Sequence, residues 1–264
     1  MIAPYYQNRL VTLYHGDAFE IAADIPDGSF DMALTDPPYG LRCCKWDEPI
    51  DAGALCAMLR RTCRADAARV VFADMRLAAR LVMADDEFRY DLVYRKRCPC
   101  GILNARRQPL RAHENILVFY GRSPTYNPQM ARGRTYSKPA RRSRSANYKG
   151  RSADIVSRAV TTDLRFPTSV LDSGYSTSER RRETVRHMGG HPTQKPVSLF
   201  AWLMRTYTKG GGAVFDPFCG SGTAGLAAME CDRRAVLIER EERYCEMAAL
   251  RIRRAETLWT RAMA

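Results

Sequence analysis

Short apolar runs that stop at acidic residues or glycines alternate along this chain with segments whose apolar positions lie three and four residues apart. Arg9 to Tyr14 (RLVTLY) reads as a short buried strand ending at His15-Gly16-Asp17. Ala18 to Ile25 has helical spacing, and Pro26-Asp27-Gly28-Ser29 is a turn. Phe30 to Leu34 carries few polar residues, as in a strand buried on both faces. Ala52 to Arg64 and Met75 to Ala84 predict helices. Arg69–Ala73 (RVVFA), Tyr90–Lys96 (YDLVYRK) and Glu114–Tyr120 (ENILVFY) predict strands. Strand, helix, strand is one right-handed crossover unit of a parallel sheet. From Gly121 to Gly190 the regular pattern fails. It returns with a helix from Val197 to Thr208, stopped by Gly210-Gly211-Gly212. A strand at Ala213–Asp216, a helix at Thr223–Glu230 and a strand at Arg234–Ile238 follow. A basic amphipathic helix closes the chain from Glu241 to about Trp259.

These elements make an α/β fold with seven strands, interrupted by one irregular stretch. A chain of 264 residues suits one large domain with an insertion. The boundaries read as 1–120 and 191–264 for the two parts of the ordered domain, and 121–190 for the insertion. No run of eighteen apolar residues occurs and the amino end has no apolar signal region, which predicts a cytoplasmic protein without membrane contact. The nine cysteines fall within strand-like and helix-like segments without paired CxxC spacing, so reduced thiols are expected rather than disulfides or a metal.

Charge changes the picture more. The net charge is +13, and Arg122 to Arg186 holds 15 Lys/Arg against 5 Asp/Glu. That localised excess predicts a polyanionic partner. The candidate contacts are Arg134, Lys138, Arg141, Arg142, Arg144, Lys149, Arg180, Arg181 and Arg182, with Tyr126, Tyr136, Tyr148 and Tyr175 interleaved. A solvated, partly disordered insertion has the same composition.

Candidate chemistry sits at two strand ends. Phe30–Leu34 runs through Thr35 into Asp36-Pro37-Pro38-Tyr39, where two prolines stop the ladder and hold the backbone extended. In open α/β sheets, ligands bind at the carboxyl ends of strands. Asp36 and the Pro37 carbonyl can accept hydrogen bonds from one amino group, and Tyr39 offers a flat face. Together they suit an exocyclic amine on a planar base. The second site is Asp216-Pro217-Phe218-Cys219-Gly220-Ser221-Gly222-Thr223, a strand, glycine turn and helix start that lets backbone approach a ligand. Gly220 to Gly225 also matches GxGxxG, as in a nicotinamide dehydrogenase. Only one crossover unit follows it, however, and hydride transfer has no evident use for Asp36-Pro37-Pro38-Tyr39.

Asp36-Pro37-Pro38-Tyr39, His191-Pro192-Thr193-Gln194-Lys195-Pro196, Asp216 to Thr223 and Glu239, in this order, resemble the β class of S-adenosylmethionine-dependent DNA amino-methyltransferases. The resemblance covers nearly everything except the basic insertion. It implies a circularly permuted Rossmann-like methyltransferase with a mostly parallel seven-stranded sheet, the carboxyl-terminal strands lying beside those at Leu13 and Leu34. It further implies S-adenosylmethionine as cofactor, with Glu239 on its ribose and Asp17 on its adenine. Phe218 to Thr223 would surround the methionine portion, and Thr193 and Lys195 would lie near its carboxylate. Asp17 can also cap the helix after it. Double-stranded DNA is the implied substrate, its target base flipped out of the stack, and 121–190 the target-recognition region. Asp as the first motif residue favours N6 of adenine, with N4 of cytosine as the alternative; RNA, or an inactive DNA-binding relative, are further readings. Many members dimerise, so the resemblance allows a homodimer without fixing the oligomeric state; neither metal nor covalent intermediate is required. Pro99-Cys100 is similar to the nucleophile pair of the C5-cytosine methyltransferases, but an amine needs no covalent activation. Gly40 to Ile50 reads as a loop over the site, with Trp46 as its anchor or, alternatively, a substrate contact.

Overall fold

The computed structural model describes residues 2–41, 47–144, 154–172 and 194–263. The amino-terminal half runs β1 (Tyr6–Gln7), β2 (Val11–His15), α1 (Ala18–Ala23), β3 (Phe30–Thr35), α2 (Ala52–Thr62), β4 (Cys63–Ala73), α3 (Met75–Ala84), β5 (Phe88–Cys100) and β6 (Arg111–Phe119). Next come β7 (Ala131–Lys138), β8 (Arg141–Arg144), β9 (Asp154–Ser157), β10 (Val160–Arg165) and β11 (Val170–Asp172). The chain ends with α4 (Val197–Tyr207), β12 (Ala213–Asp216), α5 (Thr223–Glu230), β13 (Arg234–Glu239) and α6 (Glu242–Met263).

One nine-stranded sheet has the order β1-β2-β13-β12-β3-β4-β6-β5-β11. The seven strands expected from sequence form its body, and the short β1 and β11 extend its two edges. Strands β2, β13, β12, β3 and β4 pair in parallel, while β6 runs antiparallel to β4 and β5. Phe215 lies opposite Ala33 and Leu237 opposite Leu13, so the last strands of the chain are inserted between its first ones. The permutation predicted from motif order is therefore physical.

Alternation along these strands divides the core. Leu13, Met32, Leu34, Val214 and Leu237 pack with Leu199, Leu203, Ala227 and Ile252 of α4, α5 and α6 on one face. Ala33, Val71, Phe215 and Ile238 pack with Ile21, Leu55, Leu59 and Leu77 of α1, α2 and α3 on the other. Phe30 and Phe215 stack with ring centroids 4.7 Å apart, binding β3 to β12 beneath the site. Asp17, Asp51 and Asp74 each cap a helix through side-chain acceptance of backbone amides, so α1, α2 and α3 start at fixed points just past a strand or loop.

Contacts divide the chain into two compact units, residues 1–127 with 169–264, and residues 128–168. Asn127 closes the first stretch: its backbone amide donates to Thr206 O at 2.7 Å, and its side-chain nitrogen to the carbonyls of Arg205 and Thr208, each at 3.2 Å. On the return, Val93 N donates to Ser169 O at 2.8 Å.

The smaller unit corrects one expectation. Where sequence periodicity fails, β7 pairs antiparallel with β10, and β8 with β9. Most of its described side chains are exposed, so no buried face imposes an apolar alternation that could have announced a strand. Instead the pairing carries polar and cation–ring contacts. Ser137 and Thr161 share a 2.9 Å hydrogen bond, and the Arg165 guanidinium lies 3.9 Å from the Tyr136 ring centre.

Candidate active site

Strand β3 delivers Asp36 to a cavity of ≈ 460 Å³ in the larger unit. Pro37, Pro38 and Tyr39 line it with Asp36, as do Asp17, Asp216 to Ser221, Thr223 and Glu239. Residues nearly two hundred positions apart thus meet because β3, β12, β13 and β2 end along one sheet edge. Thr35 Oγ1 donates to Asp216 Oδ1 at 2.7 Å, a buried link across the β3–β12 pair directly below both motifs.

Asp36 is held from two sides. Tyr39 Oη donates to its Oδ1 at 2.6 Å, and Lys195 Nζ to its Oδ2 at 2.5 Å. Lys195 is itself buried and lies 3.1 Å from Glu114 Oε2, while Lys96 Nζ donates to Glu114 Oε1 at 3.0 Å. Two lysines and two carboxylates therefore alternate from β5 through β6 to the end of β3. The Glu114 Oε2 contact is an ion pair rather than an aligned hydrogen bond, because that oxygen has no hydrogen-bond partner. Burial raises the Asp36 pKa; Lys195 and Tyr39 oppose this and Glu114 reinforces it. Burial also works against the charge of Lys195, but Asp36 and Glu114 outweigh it and leave the ammonium pKa above its usual value. For Glu114, burial pushes upward and the two lysines outweigh it, so its carboxylate stays below the usual range.

The resemblance places Lys195 near the cofactor's carboxylate; here its ammonium lies against two protein carboxylates, those of Asp36 and Glu114. Glu114 and Lys96 were missed. Their one signal is polarity at the ends of otherwise apolar strands.

The glycine turn is fixed from below and behind. Glu239, at the end of β13, accepts the Gly220 amide on Oε2 and the Glu241 amide on Oε1, each at 2.8 Å. Cys219 N donates to Ile238 O at 2.9 Å. Buried Arg251 of α6 donates through Nη1 to Ser221 O at 2.5 Å and Ser221 Oγ at 2.9 Å. This clamp was also missed, since Arg251 reads as one more cation on a basic helix. Gly222 does not line the cavity. Its φ is +78°, and a Cβ there would come 2.7 Å from that of Ala248, so this glycine serves the approach of α6.

Asp17 caps α1 through Oδ1, which accepts the amides of Phe19 and Glu20 at 2.8 and 3.2 Å. Phe19 and Phe218 both line the cavity, edge to face at 6.3 Å. Cys100 lines it as well, with Lys96 Nζ 3.4 Å from its Sγ; burial holds the Cys219 thiol well above its usual pKa. Thr193, Lys149, Arg180, Arg181, Arg182 and Trp46 lie outside the described residues. Arg141, Arg142 and Arg144 lie on β8, while exposed Arg134 and Lys138 lie on β7. The seven cysteines among the described residues are free thiols. Among these residues no helix is long and apolar enough to cross a membrane, and no His, Cys, Asp and Glu group is arranged to hold a metal.

Asp216 gives a pH test. Burial pushes it up to about 7 from an ordinary 3.8, against its bonds from Thr35 Oγ1 and Phe218 N. Between those values the folded chain keeps a proton that the unfolded chain has lost. Stability from this group is thus complete below pH 3.8 and is lost as pH rises through about 7. Asp216→Asn keeps an acceptor oxygen and removes the titration. The variant should gain on the wild type by about 2–4 kcal/mol between about pH 5 and pH 8 in urea unfolding. A difference that does not change with pH contradicts this.

A permuted Rossmann-like sheet with these motifs along its carboxyl edge defines a class, the S-adenosylmethionine-dependent methyltransferases. Within it, the chain belongs to the N6/N4 DNA methylase family, whose model, described as DNA methylase, matches residues 30–250. A curated relative is the Type II methyltransferase M.ScaI of Streptomyces caespitosus, 24% identical over 94% of this chain and 83% of that protein. Among solved structures, the cytosine-N4-specific PvuII DNA methyltransferase superposes with a TM-score of 0.69 at 16% identity, covering 98% of this chain and 94% of the other. The complex of M1.HpyAVI with S-adenosylmethionine superposes with a TM-score of 0.58 at 23% identity, over 92% and 99%. S-adenosylmethionine is the cofactor of this family and fold.

Proposed function

We propose that this chain is a site-specific DNA methyltransferase that moves a methyl group from S-adenosylmethionine to the exocyclic N6 of a flipped-out adenine. The observation that carries the reading is the anchored Asp36 carboxylate beside the Pro37 carbonyl in a cavity shared with the glycine turn. Asp as first motif residue supports adenine. The likeness to a cytosine-N4-specific enzyme supports N4 of cytosine as the second reading.

The residues present fit the cofactor. Both Glu239 oxygens are oriented by backbone amides and keep lone pairs for two vicinal hydroxyls. Phe19 and Phe218 offer apolar surface for a planar ring, and Asp17 keeps Oδ2 for its amine. When bound, S-adenosylmethionine supplies a methyl group already activated on a sulfonium. The protein's work is then positioning. Asp36 and the Pro37 carbonyl orient the target amine, Tyr39 stacks on its base, and the Asp36 carboxylate stabilises the positive charge that develops on nitrogen and takes the proton released. Lys195, between Asp36 and Glu114, favours the ionised form of Asp36 and so opposes the burial that raises its pKa. The basic 128–168 unit, with its flanking arginines, would hold the phosphates and read the target site.

Methyl transfer from labelled S-adenosylmethionine to unmethylated duplex DNA, followed by nucleoside mass spectrometry, tests this. N6-methyladenine is expected. N4-methylcytosine would move the assignment to the second reading, and the absence of any methylated nucleoside would overturn both.

A further inference from the structure

The connection from β5 to β6 carries exposed apolar side chains where polar ones would be expected. Ile102 is 73% exposed, Leu103 97% and Leu110 38%. One exposed leucine needs no explanation, but three on one hairpin tip do. The tip is not loose backbone. Gly101, at φ +94°, starts a single helical turn at Ile102–Asn104, closed by Asn104 N to Gly101 O at 2.9 Å and Ala105 N to Ile102 O at 3.1 Å. Arg107 N to Asn104 O at 2.8 Å continues it. Ile102 and Leu103 are thus presented outward on a preformed turn.

Two further observations say what covers them. From Lys96 to Arg111 the sequence has five cations and no carboxylate, and Arg106, Arg107 and Arg111 on this tip are exposed. The feet of the same hairpin, Lys96, Cys100, Arg111 and Glu114, line the cavity that holds Asp36. An apolar point ringed by cations, on a hairpin whose feet line the cavity of Asp36, matches a nucleic-acid duplex with an opening in its stack. Phosphates suit the arginines, and the faces of neighbouring base pairs suit Leu103 and Ile102.

We propose that this tip is a wedge that enters duplex DNA beside the target nucleotide and fills the gap left by the flipped base. The inference rests on the methyl-transfer reading above. Removing a base from a paired stack is costly and leaves a void; an apolar side chain filling it favours the open state.

The test uses the full chain and a duplex containing a site identified by sequencing methylated plasmid DNA. kcat/KM is measured on the paired duplex and on the same duplex with the base opposite the target mismatched. Leu103→Ala should lower kcat/KM on the paired duplex by about tenfold or more, yet by less than about threefold on the mismatch, where unpairing is already supplied. The rise in 2-aminopurine fluorescence at the target position on binding should fall in the same variant. Unchanged S-adenosylmethionine binding checks that the variant is folded. An equal loss on both substrates, or no loss, overturns the wedge while wild-type methylation keeps the enzyme reading. Conversion of a wild-type dimer to monomer by Leu103→Asp, with no substrate-dependent loss, would assign the tip to a second copy of this chain and also overturn it. A wild-type protein that methylates no DNA overturns the underlying reading itself.

Discussion

Asp36→Ala should reduce methyl transfer by at least about 10³-fold while weakening S-adenosylmethionine binding by less than about threefold, because the two functions rest on separate anchors. Asp36 is fixed by Tyr39 and Lys195, at 2.6 and 2.5 Å. The glycine turn is fixed by Glu239 and Arg251, neither of which touches Asp36. Truncating Asp36 leaves Lys195 paired with Glu114, so no buried charge is stranded and the fold persists. Asp36→Asn is a sharper version: it keeps shape and an acceptor but loses the negative charge facing the developing positive nitrogen. Its transfer rate should fall nearly as far. Titration calorimetry with S-adenosylmethionine and single-turnover transfer measure the two halves. Retained turnover in either variant would remove Asp36 from the chemistry.

Lys195→Met should have the largest combined effect. It leaves the Asp36 and Glu114 carboxylates buried near each other, with only Lys96 beside Glu114. Breaking such an array from its centre costs about 3–5 kcal/mol near neutral pH. The pKa of Asp36 should climb further, so less of it is ionised and transfer falls by about a hundredfold or more. Adding Glu114→Gln should restore more than half of the lost stability, because the repulsion disappears with the second charge. Cofactor affinity separates this account from the sequence-based one. A lysine serving the cofactor's carboxylate would show its loss mainly in the dissociation constant of S-adenosylmethionine; one serving Asp36 shows it in the transfer rate.

The centre of the sheet could be read from sequence because β3, β12 and β13 are short and mostly buried. Phe30–Thr35 and Arg234–Glu239 announce themselves by apolar runs with an acid at or just beyond the end, and Met75–Ala84 and Thr223–Glu230 match their predicted helices to the residue. Strands without an apolar face were illegible. Tyr6–Gln7 and Val170–Asp172 are edge additions of two and three residues, and the pairing of β7 with β10 carries polar groups. The site divides similarly. Asp36, Asp216 and Glu239 stand at strand ends, where order along the chain predicts convergence. Glu114 and Lys96 meet through the antiparallel pairing of β5 with β6, and Lys195 reaches Glu114 from a separate segment. Arg251 reaches Ser221 from a helix far along the chain. Such contacts depend on three-dimensional register, which periodicity does not encode. Gly222 shows the converse, since its motif is legible but the reason for its glycine is a helix-packing contact.

Both ends of the 128–168 segment are tied to the frame it leaves, by Asn127 to the end of α4 and by Ser169 to β5. A stretch moored this way at entry and exit behaves as an exchangeable cassette. Its length and sequence can drift, or be swapped wholesale, without disturbing the registers that bring Asp36 to Asp216. On the reading proposed above, the methylating centre and a recognition segment at 128–168 could then evolve at different speeds in one polypeptide.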